Sequence, residues 1–224
     1  MTHGEGTFSW EVYQAEGRRA YPGAPRPTAS IHVTDADGNS EFIDIPASVG
    51  RRLASMKKQG QVSVNSKGAL CQVLNQCTEV VAWEQLVKLF DRRDYSEAEC
   101  VQKLRLAGFK RDAANAAVAK GVDCGLISNV RYADAFIRSK VNVGWGIKRI
   151  ERELSKRGIQ TSELVGWPYD YIDPDDEFER AMDVASRKTV RDPNKYAKLV
   201  RFLVGRGFSY DVAGRAARVR LTDE

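Results

Sequence analysis

The sequence predicts a mainly α protein. Its body is three tandem three-helix repeats in an elongated array, preceded by a small N-terminal extension that contains a β-hairpin. Two observations carry this. The pattern leucine, three residues, glycine, apolar residue occurs at Leu104 to Gly108-Phe109, at Leu154 to Gly158-Ile159 and at Leu203 to Gly207-Phe208. The glycines at 108, 158 and 207 are 50 and then 49 residues apart, and in the same phase Tyr95 aligns with Trp145 and Leu86 with Phe136. The second observation is a change of periodicity near residue 80, from strand-like alternation to helical spacing. Stacked helical units bind other macromolecules along an extended face more often than they build a catalytic pocket.

The elements are expected as follows. Residues 1–29, rich in Gly, Pro, Ala and Thr with Pro22, Pro25 and Pro27 close together, read as a flexible tail. Residues 30–79 form the extension. Ile31-His32-Val33 and Phe42-Ile43-Asp44-Ile45 are strand-like and flank Asp35-Ala36-Asp37-Gly38-Asn39, a strong turn signal. That turn resembles the start of a calcium loop but has Pro46 where the twelfth-position glutamate belongs, so no calcium site is expected. Ala47 to Lys58 reads as a short helix, Gln61 to Val64 as another strand, and Gly68 to Cys77 as a mixed segment.

Residues 80–127 are the first repeat. Val80 to Arg93 places Trp83, Leu86, Val87 and Phe90 on one face, and Ser96-Glu97-Ala98-Glu99 is a capping box that starts a helix ending at Gly108. A small, alanine-rich helix follows from Arg111 to Gly121. Residues 128–173 are the second repeat: a helix from Asn129 to Val141 with the stripe Tyr132, Ala133, Phe136 and Ile137, a Gly144-Trp145-Gly146 turn, and a helix from Ile147 to Arg157. Its third helix starts near Ser162 and is interrupted by Gly166 and Pro168. Residues 174–224 are the third repeat, read as Asp175 to Val190 with Pro174 at the helix start, Pro193 to Gly205, and Ser209 to Leu221.

Charge is unevenly spread. Residues 1–79 hold eight basic and eight acidic residues, residues 80–159 sixteen and ten, and residues 160–224 eleven and twelve. The positive excess therefore sits in the first two repeats and is suited to an anionic partner, either nucleic acid or an acidic protein groove. Arg138, Lys140, Lys148, Arg149, Arg152, Lys156 and Arg157 stand in one stretch against Glu151 and Glu153. At ~100° per residue, Lys148, Arg149, Arg152 and Lys156 point away from Ile147, Ile150 and Leu154. This set is either a solvated helix face or a contact surface. The run from Tyr169 to Glu179 carries six acidic residues and no basic one; it is either a linker or a partner for basic groups.

Enzymatic chemistry finds little support. Neither a G-x-x-x-x-G-K-[ST] nor a G-x-G-x-x-G loop occurs, and the two histidines, His3 and His32, lie outside the repeats. Cys71, Cys77, Cys100 and Cys124 form no C-x-x-C pair, so reduced thiols and no metal site are expected. No apolar run approaches the ~18 residues of a membrane span. The N-terminus has no signal-peptide pattern, and a cytoplasmic protein is expected.

Three separated blocks carry a resemblance. Arg92-Arg93-Asp94-Tyr95-Ser96-Glu97-Ala98-Glu99 with Lys103-Leu104 and Gly108-Phe109 resembles the first-repeat signature of the bacterial RecX regulatory family. Arg131-Tyr132-Ala133, Phe136-Ile137-Arg138, Gly144, Gly146, Arg149-Ile150, Glu153-Leu154 and Gly158-Ile159 are similar to its second, and Arg206 to Asp211 to its third. The resemblance spans roughly residues 80–221, in the right order and spacing. Cys100 departs from the usual leucine, and Ile147 from a common proline. The resemblance implies three three-helix repeats without cofactor or catalytic residues. It also implies binding to the RecA recombinase filament, with effects on strand exchange and ATP hydrolysis, and contact with DNA directly or through RecA. Inhibition by a monomer is expected. A helical DNA-binding regulator independent of RecA and a general protein–protein scaffold are the alternatives. On this reading Tyr95, Leu104, Gly108, Trp145, Leu154, Gly158, Leu203 and Gly207 are structural, with Tyr95 and Trp145 packing where units join. The seven basic residues from Arg138 to Arg157 are then the partner-binding face.

Overall fold

A computed structural model describes residues 8–14, 17, 24, 26–173, 175–190 and 194–222. Pro22, Pro25, Pro174 and Pro193, each given a role above, lie outside the described residues. The chain divides into two compact units, residues 1–127 and 128–224.

The first unit opens with an antiparallel sheet of β1 (Ser9–Tyr13), β2 (Thr28–Thr34) and β3 (Ser40–Pro46), in that spatial order. The expected hairpin is β2–β3, paired from Thr28 opposite Pro46 to Thr34 opposite Ser40. Its turn is held by Asp35, whose Oδ1 accepts from the Asp37 and Asn39 amides at 2.9 and 2.8 Å. Alternation sends Ala29, Ile31 and Val33 inward. The tail expectation for residues 1–29 needs correction. Ser9–Tyr13 is a strand, paired from Ser9 opposite Thr34 to Tyr13 opposite Ser30, and Trp10 is buried. Phe8, Trp10 and Val12 share one face of it, a period-two signal readable in the sequence.

Helix α1 (Ala47–Lys58) buries Val49, Gly50 and Leu53. A Cβ on Gly50 would stand 2.7 Å from the Ala29 Cβ, so glycine is what lets α1 lie directly on the sheet. Lys57 covers the Trp10 ring and donates to the Trp10 carbonyl. Gln61 to Val64 is not a strand. Val62 and Val64 pack against the core, but β3 pairs with β2 alone among the described strands. The apolar alternation therefore serves packing without a ladder.

The mixed segment Gly68 to Cys77 and the helix expected from Val80 are one helix, α2 (Lys67–Phe90). The boundary drawn at residues 79 and 80 falls inside it. Ser66 caps it, its hydroxyl accepting from the Ala69 amide at 3.2 Å. The buried stripe is Leu70, Cys77, Val81, Ala82 and Leu86; Val87, expected in the core, is exposed. Helix α3 (Glu97–Leu106) carries the full capping box, Ser96 with Glu99. Helix α4 (Arg111–Asp123) packs on α2 and α3 through Ala114, Ala117, Val118 and Gly121. Tyr95 is buried inside this unit, edge-on to Phe90 with the Arg93 guanidinium 3.8 Å from its ring centroid.

The second unit begins with α5 (Asn129–Asn142), capped by Ser128, and α6 (Ile147–Ser155). A short 3-10 turn (Thr161–Glu163) and irregular chain replace the interrupted third helix. Leu164 and Ile172 still supply buried side chains to the α5–α6 core. Helices α7 (Glu177–Ser186), α8 (Lys195–Arg206) and α9 (Tyr210–Thr222) pack around Ala181, Ala185, Leu199, Leu203, Phe208 and Ala217. The acidic run enters α7, which begins two residues later than expected, with Glu177 and Glu179 in its first turn. Leu104, Leu154 and Leu203 are all buried, and Gly108, Gly158 and Gly207 all have positive φ at helix ends (97°, 74° and 100°).

Candidate macromolecular interface

The basic set of the second unit is built around a backbone junction. The α6 N-terminus has no side-chain cap. Its free amides are met instead by the C-terminal end of α8: Gly146 N donates to the Arg206 carbonyl at 2.9 Å and Lys148 N to the Gly207 carbonyl at 3.2 Å. Unsatisfied donors of one helix and unsatisfied acceptors of another thus complete each other. The approach requires glycine on both sides. A Cβ at Gly146 would lie 2.5 Å from the Gly207 carbonyl carbon, and one at Gly207 2.4 Å from the Arg149 Cβ. Two arginines lock the junction. Arg206 Nη1 donates to the Val143 carbonyl at 3.1 Å, and Arg180 Nη2 donates to the Trp145 carbonyl at 2.7 Å. Burial disfavours the charged form of Arg180, and its Nη1 is buried without a partner among the described residues. Sequence reading singled out neither for this role, because each bond spans more than thirty residues.

On this scaffold the seven predicted residues divide. Arg149 is half-buried. Its guanidinium carbon sits 3.8 Å from the Trp145 ring centroid, and its Nη1 donates to the Gly205 carbonyl at 3.2 Å. It therefore ties the second repeat to the third, which corrects the expectation that it points freely outward. Trp145 also meets Phe136 edge-on, at 6.2 Å. Lys140 lies over the rings of Phe136 and Trp145. Arg157 and Lys156 share Glu153, at 2.9 and 2.8 Å. Hydrogen bonds from Lys156 and then Arg157 pull the Glu153 carboxyl down to about 2. Arg138 pairs with Asp134 at 3.1 Å, holding that carboxyl below its ordinary value, and lies over Tyr171.

Lys148 and Arg152 remain. Both are exposed and make no ion pair among the described residues. Arg138 and Lys156 are more than 60% exposed at the side chain. Such surface pairs are worth roughly 0–1 kcal/mol, so they exchange readily for an incoming anion. The outer face of α5 and α6 thus offers two free cations and two loosely held ones on a fixed backbone. Among the described residues no group of His, Cys, Asp or Glu could hold a metal, and no helix is long and apolar enough to cross a membrane. The four cysteines are free thiols.

Comparison with known proteins gives a consistent result. Residues 128–162 match the family model of the RecX second three-helix domain, and residues 175–216 that of the third. The chain is 34% identical over 132 residues to "Regulatory protein RecX" of Vibrio campbellii, covering 57% of this chain and 84% of that protein. It is 35% identical over 142 residues to the protein of the same name from Vibrio vulnificus, covering 62% and 89%. The Pseudomonas putida (strain W619) protein is 31% identical over 159 residues, covering 66% and 96%. Among solved structures, RecX from Lactobacillus salivarius superposes with a TM-score of 0.51 at 24% identity, covering 64% of this chain and 96% of that one. A second RecX crystal structure gives 0.55 at 17%, covering 91% and 97%. These two likenesses concern the fold.

Proposed function

The chain belongs to the RecX family of regulatory proteins, and from that premise we propose that it binds the RecA–DNA filament and lowers RecA's ATP hydrolysis and strand exchange. Recombination, DNA repair and the SOS response would be affected in consequence. The observation that carries the proposal is the outer face of α6. Lys148 and Arg152 stand exposed and make no ion pair among the described residues, on a helix whose start is fixed by backbone hydrogen bonds to the third repeat. A rigid cationic surface suits an anionic filament, because its charges act together and need little reordering on contact. The protein works on this reading as a monomeric, cytoplasmic binding module without catalytic residues, touching DNA directly or through RecA.

The test is DNA-dependent ATP hydrolysis by the cognate RecA with this protein titrated in, run beside a strand-exchange assay. Both rates should fall as the protein is added. Unchanged rates with fully active RecA would overturn the proposal.

A further inference from the structure

The first unit contains a cleft that the regional charge count concealed. It has a volume of about 550 Å³ and lies between α1, α2 and α3, beside the chain entering β2. Six cations line it: Arg26, Arg51, Arg52, Lys88, Arg92 and Lys103. Among the described residues Glu84 is the one carboxylate in its lining, and Arg52 already occupies it at 2.7 Å. Arg26, Arg51, Lys88, Arg92 and Lys103 make no ion pair among the described residues. Holding five uncompensated positive charges around one cleft is unfavourable without an anion.

Two further features point to phosphate. Helix α1, twelve residues long, flanks the cleft with Ser48, Arg51 and Arg52, so that part of its first turn lies in the wall. It carries no side-chain cap and no acidic residue in its first turn. An uncapped N-terminus favours an anion by its free amides and its dipole. The Ser48 Oγ is itself buried and lacks a hydrogen-bond partner among the described residues, an uncommon state for a buried hydroxyl. By contrast, the larger cavity of the second unit, about 680 Å³, sets Asp176, Glu179 and Asp183 among its cations, and Asp183 already holds Arg187 at 2.7 Å.

We propose that this cleft of the first unit is a sequence-independent binding site for the phosphate backbone of nucleic acid. Five cations without an ion pair among the described residues call for several phosphates. Among the described residues the lining lacks what a nucleotide pocket needs to read a base: Tyr95 is buried, with Arg93 and Lys103 already over its ring, and offers no open aromatic face for stacking. The inference concerns free nucleic acid and does not depend on the action at RecA.

The experiment measures fluorescence anisotropy of the full chain with two labelled single-stranded oligonucleotides of unrelated sequence, across a salt series and without RecA. Arg51→Glu with Arg92→Glu should lower affinity for both by roughly tenfold or more at low salt. It should also flatten the log–log salt slope by about 1.4, two phosphate contacts at about 0.7 each. Both side chains are exposed, and a thermal melt checks folding. Arg51→Gln with Arg92→Gln is the milder variant should the reversal misfold, and Arg51→Lys with Arg92→Lys should keep most of the affinity. Unchanged affinity and slope in a folded variant would overturn the proposal. Displacement by ATP or pyrophosphate as effective as by unlabelled oligonucleotide would reassign the cleft to a free phosphate compound. Equal displacement by polyglutamate would reassign it to an acidic protein segment. Either reassignment overturns the nucleic-acid proposal.

Discussion

The guanidinium of Arg149 stacks on the Trp145 ring, 3.8 Å from its centroid, while its Nη1 reaches the Gly205 carbonyl of the next repeat. One side chain thereby joins the turn before α6 to the end of α8. Arg149→Ala loses a cation–π contact worth about 0.5–2 kcal/mol and a charge-assisted hydrogen bond worth about 1.5–3 kcal/mol. Part of both is recovered by hydration of a half-buried site. The net loss should be about 1–3 kcal/mol, read as a lower urea midpoint with an unchanged slope. Arg149→Lys should recover less than half, because an ammonium does not stack as a planar guanidinium does.

The Gly146–Gly207 contact leads to a sharper contrast between Gly205 in the last turn of α8 and Gly207, which caps that helix. Gly207 has φ of 100° and no room for a methyl group. Gly207→Ala combines a left-handed penalty of about 1–2 kcal/mol with overpacking of about 1–3 kcal/mol, and should cost at least about 2 kcal/mol. Gly205 is helical, exposed and open around its Cβ position. Gly205→Ala should stabilise the helix by about 0.5–1 kcal/mol. Paired chemical denaturation curves decide the matter. Equal effects of the two changes would show that the α6–α8 contact is not close-packed.

What was legible in the sequence was local. The hairpin turn is one Asp35 side chain bonding amides two and four residues on, and the capping box is Ser96 with Glu99. The three glycines mark positive φ at helix ends, which the next-neighbour pattern announces. What escaped was non-local. Whether Phe8-x-Trp10-x-Val12 is a strand depends on β2, and whether Gln61 to Val64 is one depends on a partner that β3 does not provide. The outward orientation read from α6 alone is seen as exposure at Lys148, Arg152 and Lys156. It failed for Arg149, whose partner is 56 residues away. The cleft of the first unit was invisible because its cations come from five separate places in the chain, partly in a region whose charges balance.

Acid should weaken the second unit through Glu153. Lys156 and Arg157 hold its carboxyl near about 2, against an ordinary value of 4.5. A depressed folded-state value stabilises the fold above 4.5 and loses that contribution as pH falls from there toward about 2. Melting temperature measured against pH should therefore fall more steeply for the natural protein than for Glu153→Gln across that window. Parallel curves would mean that solvent already screens the pair.

The division among the basic residues makes the filament proposal separable from stability. Lys148 and Arg152 are exposed and make no ion pair among the described residues, so Lys148→Ala with Arg152→Ala should leave the melting temperature nearly unchanged. Each charge alone is worth little in water, but a pair facing an anionic surface acts together and weakens as salt rises. Affinity for the RecA–DNA filament should fall roughly three- to tenfold at low salt, corresponding to about 0.7–1.4 kcal/mol, and the difference should shrink at high salt. Arg149→Ala should show the reverse, a lower melting point with a smaller change in affinity once measured well below it. Unaltered filament affinity in the double variant would move the contact away from α6. The exposed Arg201 of α8 would then be the next residue to replace, because Arg206 is already engaged with the Val143 carbonyl.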